Sequence, residues 1–424
     1  MKVLHINTKD QGGGAARAMQ RLHKQLIAKG HESRFLVGRT EGGDHPYVDT
    51  IAQVVSDYGT IWDSILSRIG NRLKDLWGLH PWSYRPSLQL PRTEIYQWAE
   101  VIDLRNLFGG YLNLWVLPEL TADKPVVWRL PDMWALTGHC AYPYDCQRWI
   151  SGCYDCPLLT KEGRQIVNPK PTRWDGTRRV WRAKRDIYAR SKLHIVITTQ
   201  WMKGNVEKSI LGDALSINVI SNGVDLGVYR PYHKEYVRRE LELPLDKRIL
   251  FFSAANIDSH RKGYPYAYEA VSQMQQRMQD PPLLITMGQI KDQESNPWIR
   301  HYGYVKDAEL QAKLYAAADL YLCTTLADAQ PQTALESIAC GTPVIGFDIG
   351  PMADIVEDKK HGLIVDEISS AALRETIESV VDRQDWIAEK GDNCRRKAVR
   401  EYDIVKQTGR YIDLYEQILG DESS

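Results

Sequence analysis

No stretch of this 424-residue chain approaches the ~20 consecutive apolar residues that a membrane-crossing helix needs, so no span is expected. No signal peptide is expected either: MKVLHINTKDQGGGA has one Lys and only a short apolar run before Asp10. Together these absences predict a cytoplasmic protein. Neither sign of charge is in excess. Lys plus Arg and Asp plus Glu number 54 each, whereas a nucleic-acid binder normally carries a basic surplus. No nucleic-acid partner is therefore expected, although a local basic patch facing phosphates stays open. Repeats and low-complexity segments are absent, apart from the polar tail Gly420–Ser424. In a reducing cytoplasm the seven cysteines are not expected to form a disulfide framework.

What is present suits a globular enzyme-sized chain. Domains typically hold about 100–200 residues, so two are expected. The hydrophobic fraction of 43% and charged fraction of 25% are ordinary for a globular protein. Eleven of the 13 Trp lie at or before Trp201, so the two halves face different tasks or solvents. Short apolar runs alternate with helical patterns. The first half offers Val3–Asn7, Ser33–Val37, Val101–Leu104, Val126–Leu130 and His194–Thr199. The second offers Ile249–Ala254, Leu283–Met287, Asp319–Thr324, Pro343–Phe347 and Gly362–Asp366. Several runs are near-continuous, as in parallel strands buried on both faces. The fold class is therefore α/β, with two doubly wound domains. Asn222-Gly223 and Pro231 place a linker at 219–232. It separates a first domain over 1–218 from a second over 233–400, with a terminal helix over 401–424. The segment from Trp386 to about Leu419 reads as helix throughout.

In the second half, DAQPQTALESIACGTPVIGFDIGPMAD runs from Asp328 to Asp354. Pro331 suits a helix start and Gly341 a helix end, which predicts a helix over 331–340. That helix follows a strand's carboxyl end, where open α/β sheets bind ligands. Its N-terminus favours a diphosphate. Glu336 leans back toward that end and can accept hydrogen bonds from ribose hydroxyls, and Asp328 can reach sugar hydroxyls. By itself the pattern fits a surface helix with a solvated Glu equally well.

The segment resembles the donor-site signature of retaining family 4 glycosyltransferases. These have the GT-B fold, two Rossmann-like lobes with a cleft between them. The signature is an acidic residue, seven residues, Glu, then Gly-Thr-Pro-Val-Ile. The resemblance gives Glu336 the nucleotide ribose and Asp328 the transferred sugar, in a position where Glu is commoner. It lets the backbone of Gln330, Pro331 and Gln332 line the sugar, with Thr333 beside them. Arg261-Lys262-Gly263 resembles the family's Lys-Gly motif at the diphosphate; the usual Arg five residues before the Lys is Ile257 here. HYGYVKDAEL resembles the nucleobase segment and implies Tyr304 and Val305. Ser221–Asp225, SNGVD, is similar to the inter-lobe segment.

In the first half, GGGAARA opens a helix over Ala15–Lys29 and brings Gly13 and Gly14 to face a ligand. A dinucleotide fingerprint is not met, because Gly-Gly-Gly lacks the Gly-x-Gly-x-x-Gly spacing. RNLFGGYLN resembles a family loop. PDMWALTGHC resembles the family's Leu-His-Asp-Met-Trp, with Pro131 where the His stands, which implies Asp132 as an acceptor-contacting and catalytic residue. Cys140, Cys146, Cys153 and Cys156, in a loop over 139–157, have spacings that suit a tetrahedral structural zinc; the resembling subgroup shares this pattern. Buried free thiols or a labile disulfide are the alternatives. Trp62, Ile65, Leu66, Ile69, Leu73, Leu76 and Trp77 recur at helical spacing, with Arg68, Arg72 and Lys74 on other faces. Such a helix packs on its domain or lies on an anionic membrane as a peripheral contact.

The resemblance implies a retaining transfer from a nucleotide diphosphate-sugar to a saccharide or lipid-linked saccharide acceptor, in surface polysaccharide synthesis. No Asp-x-Asp occurs in the chain, so no catalytic metal cofactor is expected, Arg261 and Lys262 taking its place. The alternatives are an epimerase acting on the nucleotide sugar and a non-catalytic carbohydrate-binding or scaffold protein.

Overall fold

The structure is a computed structural model that describes residues 1–41, 45–58, 69–70, 72, 76, 82–160, 162–163, 166, 171–291 and 296–423. The predicted helix Trp62–Trp77 lies outside the described residues except at Ile69, Gly70, Arg72 and Leu76. The chain forms two units, Met1–Ile220 with Thr408–Ser424, and Ser221–Gln407.

Among the described residues the first unit holds seven strands: β1 Lys2–Lys9, β2 Glu32–Arg39, β3 Val48–Thr50, β4 Val101–Leu104, β5 Val126–Arg129, β6 Leu193–Ile197 and β7 Ser216–Val219. All run parallel in the order β3-β2-β1-β4-β5-β6-β7. VIDL in β4 and VVWR in β5 are buried along their whole length, which is why they read as continuous rather than alternating runs. The helix Gly13–Ala28 turns Ala16, Met19, Leu22 and Leu26 inward as one stripe, and each Leu so buried contributes about 2 kcal/mol. From the terminal helix, Tyr411, Leu414, Tyr415 and Ile418 join Val3, Leu22, Leu26, Val101 and Val127 in one core cluster of this unit. A charged knot sits in the middle of the sheet. The Asp103 carboxylate accepts from His5 Nδ1 and from Arg105 Nε, the latter at 2.8 Å. Burial pushes the Asp103 carboxyl up, and the Arg105 and His5 charges outweigh it and leave it below its ordinary range.

The second unit holds β8 Ile249–Asn256, β9 Leu283–Gln289, β10 Ile299–His301, β11 Leu320–Cys323, β12 Val344–Phe347 and β13 Gly362–Val365. These six are also parallel, in the order β10-β9-β8-β11-β12-β13. Strand order reverses at β1/β4 in the first unit and at β8/β11 in the second. Both sheets are thus doubly wound, as the strand–helix alternation predicted.

Two expectations change. Strands β3, β7 and β10 have three or four residues each and are mostly half-buried, too short to carry a readable period. The predicted continuous helix from Trp386 is broken. A helix Gln384–Lys397 loosens into a π turn over Ala398–Tyr402, and a new helix starts at Ile404. The cause is a bridge: Val224 N–H donates to Tyr402 O at 2.7 Å and Ile404 N–H to Val224 O at 3.1 Å. Those bonds replace helical ones at the break.

Candidate functional site

The second unit's site forms where β8 and β11 part, the position at which a doubly wound sheet leaves a crevice. After β8 a single turn, His260–Lys262, leads through Gly263 into the helix Tyr264–Arg277. Gly263 has φ +66°, and a Cβ there would stand 1.9 Å from the Thr324 carbonyl oxygen. Only glycine lets the two loops approach this closely. They are then stitched together. Thr324 Oγ1 donates to the Gly263 carbonyl at 2.9 Å, Thr325 Oγ1 to the Arg261 carbonyl at 3.1 Å, and Leu326 N–H to the same carbonyl at 2.8 Å.

This stitching gathers the charges. Arg261 Nη1 donates to Asp328 Oδ2 at 2.7 Å and to the Ala327 carbonyl at 2.8 Å, and Lys262 Nζ donates to Asp328 Oδ2 at 2.9 Å. Burial pushes the Asp328 carboxyl up, but Lys262 and then Arg261 overcome it and hold the group well below the usual carboxylate range. Sequence reasoning gave Asp328 to the sugar and the two cations to the diphosphate as separate sites; the structure makes them one cluster.

The helix Gln332–Ala339 follows, with Pro331 as its N-cap and Gly341 at φ +76° just past its end. It starts one residue later than predicted, because Pro331 keeps an extended ψ of 107°. Pro331 forms no side-chain cap, and its carbonyl accepts from Ala334 N–H at 3.1 Å and Leu335 N–H at 3.4 Å. Glu336 is buried one turn in, and its Oε2 accepts from Tyr315 Oη at 3.3 Å. Ser253 Oγ lies 2.9 Å from Tyr315 Oη and 3.1 Å from Tyr321 Oη, and the Thr333 hydroxyl also meets Tyr321. Burial, with the Glu336 charge behind it, raises the Tyr315 phenol well above its ordinary value, so it stays protonated as a donor. The Gln330 and Gln332 side chains hold the entering chain: Gln330 Oε1 accepts from Asn222 N–H at 2.8 Å, and Gln332 Nε2 donates to the Gly223 carbonyl at 3.3 Å.

Tyr304 and Val305 follow β10 at the same end of the sheet. Tyr304 is 50% exposed, while Val305 packs partly into the core. Sequence reasoning missed Tyr315, Tyr321 and Ser253. Their only trace was a hydroxyl-bearing residue in otherwise apolar runs.

In the first unit Gly13 and Gly14 open the helix after β1, with Gly14 exposed and nothing within 4 Å of where its Cβ would stand. Asp132 lies in the turn after β5, buried, with Oδ1 accepting from Trp134 N–H at 2.8 Å. With Arg105, Asn106, Phe108, Pro131 and Trp134 it lines a cavity at the carboxyl ends of β4 and β5. The four cysteines expected to cluster line another cavity together with His139. Among the described residues no three His, Cys, Asp or Glu side chains are grouped closely enough for a metal ion, and no helix is long and apolar enough to cross a membrane.

Residues 234–400, within the second unit, match the family model for glycosyl transferases group 1. WcaC of Escherichia coli strain K12, named for a glycosyl transferase role in colanic acid biosynthesis, is 26% identical over 240 residues, covering 53% of this chain and 55% of that one. The D-inositol 3-phosphate glycosyltransferase of Segniliparus rotundus is 27% identical over 185 residues, covering 41% and 40%. This chain thus spans about half the length of the curated relatives it matches. Among solved structures, sucrose-phosphate synthase from Thermosynechococcus elongatus matches with TM-score 0.68 at 17% identity, covering 99% of this chain and all of the other. HepE of Anabaena, solved in complex with UDP-glucose, matches with TM-score 0.64 at 15% identity, covering 98% and 100%. At such identities the likeness shows the fold, and it is the GT-B type.

Proposed function

On the premise that residues 234–400 form a glycosyl transferases group 1 domain, we propose that this chain transfers a sugar from a nucleotide diphosphate-sugar to a saccharide or lipid-linked saccharide acceptor. One observation carries the reading. Arg261, Lys262 and Asp328 converge at the β8/β11 switch point, ahead of the uncapped helix start at Gln332 and the buried Glu336.

The diphosphate sits against the helix N-terminus and the two cations. Glu336, held by Tyr315, accepts from the ribose hydroxyls. The exposed Tyr304 and the Val305 backbone meet the base. Asp328 exchanges part of its grip on the cations for a sugar hydroxyl when the diphosphate arrives. The bond from the anomeric carbon to the diphosphate oxygen then breaks, and its electron pair leaves with the diphosphate. Arg261 and Lys262 stabilise that growing charge, and no metal cofactor is needed for it. A bond forms from the anomeric carbon to the acceptor oxygen, whose proton passes to an oxygen of the leaving phosphate, with configuration retained. Asp132 and the loop after β5 recognise the acceptor, and Gly13 and Gly14 give it close backbone approach. Polysaccharide synthesis at the inner face of a membrane, with peripheral contact, is the setting we infer.

A panel of UDP-, GDP- and dTDP-sugars, with and without acceptor, tests the reading. One donor should bind and be hydrolysed slowly in the absence of acceptor. If no donor binds or turns over, the proposal falls.

A further inference from the structure

Between β5 and the helix Thr177–Tyr188, the regular pieces among the described residues of the first unit are single turns at Trp134–Leu136, Arg148–Ile150 and Pro157–Leu159. Such a segment has little core of its own. Its centre is instead a cavity walled by Cys140, Cys146, Cys153, Cys156 and His139. All four thiols are free of disulfides.

Three observations say what this cavity is for. First, the backbone around the cysteines takes up left-handed conformations. Tyr144, Cys153 and Asp155 have φ of 51°, 48° and 45°, and Gly152 has 150°. Left-handed residues persist only where the surroundings fix them. Second, main-chain N–H groups point at sulfur. Gly138 N–H donates to Cys153 Sγ at 3.2 Å, and the N–H groups of Leu158 and Leu159 address Cys156 Sγ. A neutral thiol is a weak acceptor, whereas a thiolate is a strong one. Third, the Cys153–Cys156 turn is itself held, by Arg148 Nη1 donating to the Tyr154 carbonyl at 3.1 Å and to the Asp155 carbonyl.

We propose that Cys140, Cys146, Cys153 and Cys156 bind one soft divalent cation of the zinc class, as a structural site. As placed, the sulfurs ring the cavity more widely than one ion requires, since no three candidate ligands are grouped for it among the described residues. Binding draws the ring inward to metal–sulfur bonds of about 2.3 Å. Four thiol protons leave as four sulfur–metal bonds form, and no electrons change hands.

The consequence reaches the acceptor side of the unit. Met133 N–H donates to the Ala141 carbonyl at 3.0 Å, Thr137 Oγ1 to the Cys140 carbonyl at 2.6 Å, and Lys184 Nζ to the carbonyls of Trp134 and Thr137 at 2.5 and 2.9 Å. The cysteine loop therefore braces the turn that carries Asp132.

The test is elemental analysis of the full-length chain purified under reducing conditions without chelator, followed by thiol counting. We expect one zinc per chain and four thiols protected from a maleimide until a chelator strips the metal. Stripped protein should recover both on addition of Zn²⁺ alone. The double variant Cys153→Ser/Cys156→Ser should lose the metal, whereas Cys394→Ser keeps it. Metal-free protein that takes up no Zn²⁺ overturns the proposal, as does a disulfide among the four cysteines. Equal zinc in the double variant also overturns it. Should the double variant fail to fold, the stoichiometry and thiol protection of the unmodified chain still decide.

Discussion

Asp328→Asn is the substitution from which the donor site can be read most directly. The change is isosteric and removes one negative charge. It leaves Arg261 and Lys262, which now share Asp328 Oδ2 at 2.7 and 2.9 Å, as neighbouring cations with no carboxylate. The side chains are 22%, 20% and 15% exposed for Arg261, Lys262 and Asp328, so solvent screens the cluster only partly. Breaking a fully buried pair costs about 3–5 kcal/mol, and the residual exposure lowers this to about 2–3 kcal/mol. In a unit of this size that is a fall in Tm of about 5–10 °C at pH 7. The pH dependence has a definite sign. A carboxyl held below its unfolded value contributes stability that is complete above about pH 5, where the unfolded chain is already ionised. That contribution fades as pH falls below about 5, because the unfolded state takes up a proton first. The difference in Tm between the two proteins should therefore be largest near neutrality and shrink in acid. Added UDP should raise the variant's Tm more than that of the unmodified protein, since a diphosphate meets two released cations. Thermal melts across pH 3–8, with and without UDP, measure all of this. If the variant melts with the unmodified protein at pH 7 and gains no more from UDP, Asp328 does not neutralise these cations and the account of the cluster is wrong.

Three further changes address the same site. Tyr315→Phe removes the hydrogen bond to Glu336, which at 3.3 Å is worth about 1.5 kcal/mol; KM for the nucleotide sugar should rise about tenfold with kcat nearly unchanged, and steady-state kinetics with an unaltered KM would refute the positioning role. Gly263→Ala places a Cβ 1.9 Å from the Thr324 carbonyl oxygen at φ +66°, so a loss of about 2–4 kcal/mol is expected in denaturant unfolding, with donor affinity lost in parallel. Lys262→Ala removes a charge from the leaving diphosphate and should lower kcat about 10²–10³-fold at saturating donor, while circular dichroism stays that of the parent. Single-turnover rates separate that effect from one on product release.

Much of this is legible in the sequence. β4, β5, β11 and β12 announced themselves as short apolar runs because both of their faces are covered. Gly341 marked a helix end for a local reason, a left-handed residue that only glycine takes cheaply. The short edge strand β3 did not, since three half-buried residues carry no period. The break at Ala398–Tyr402 was also invisible, because the sequence there has good helical character and only the distant Val224 competes for its backbone. The site followed the same rule. Glu336, Asp328, Arg261 and Lys262 could each be named from motif and spacing, but Tyr315 could not, being 21 residues from Glu336 on another helix.

The sequence by itself determined the class of each sheet, the helix caps and the residue types at the donor end, all of which depend on neighbours within a few positions. Only the tertiary structure decided that Asp328 neutralises Arg261 and Lys262, that a tyrosine holds Glu336, and that four cysteines share one cavity. Those facts depend on which strands lie side by side. Strand order is set by burial of whole faces rather than by any local signal, and at β8 and β11 it brings together residues 66 and 67 positions apart.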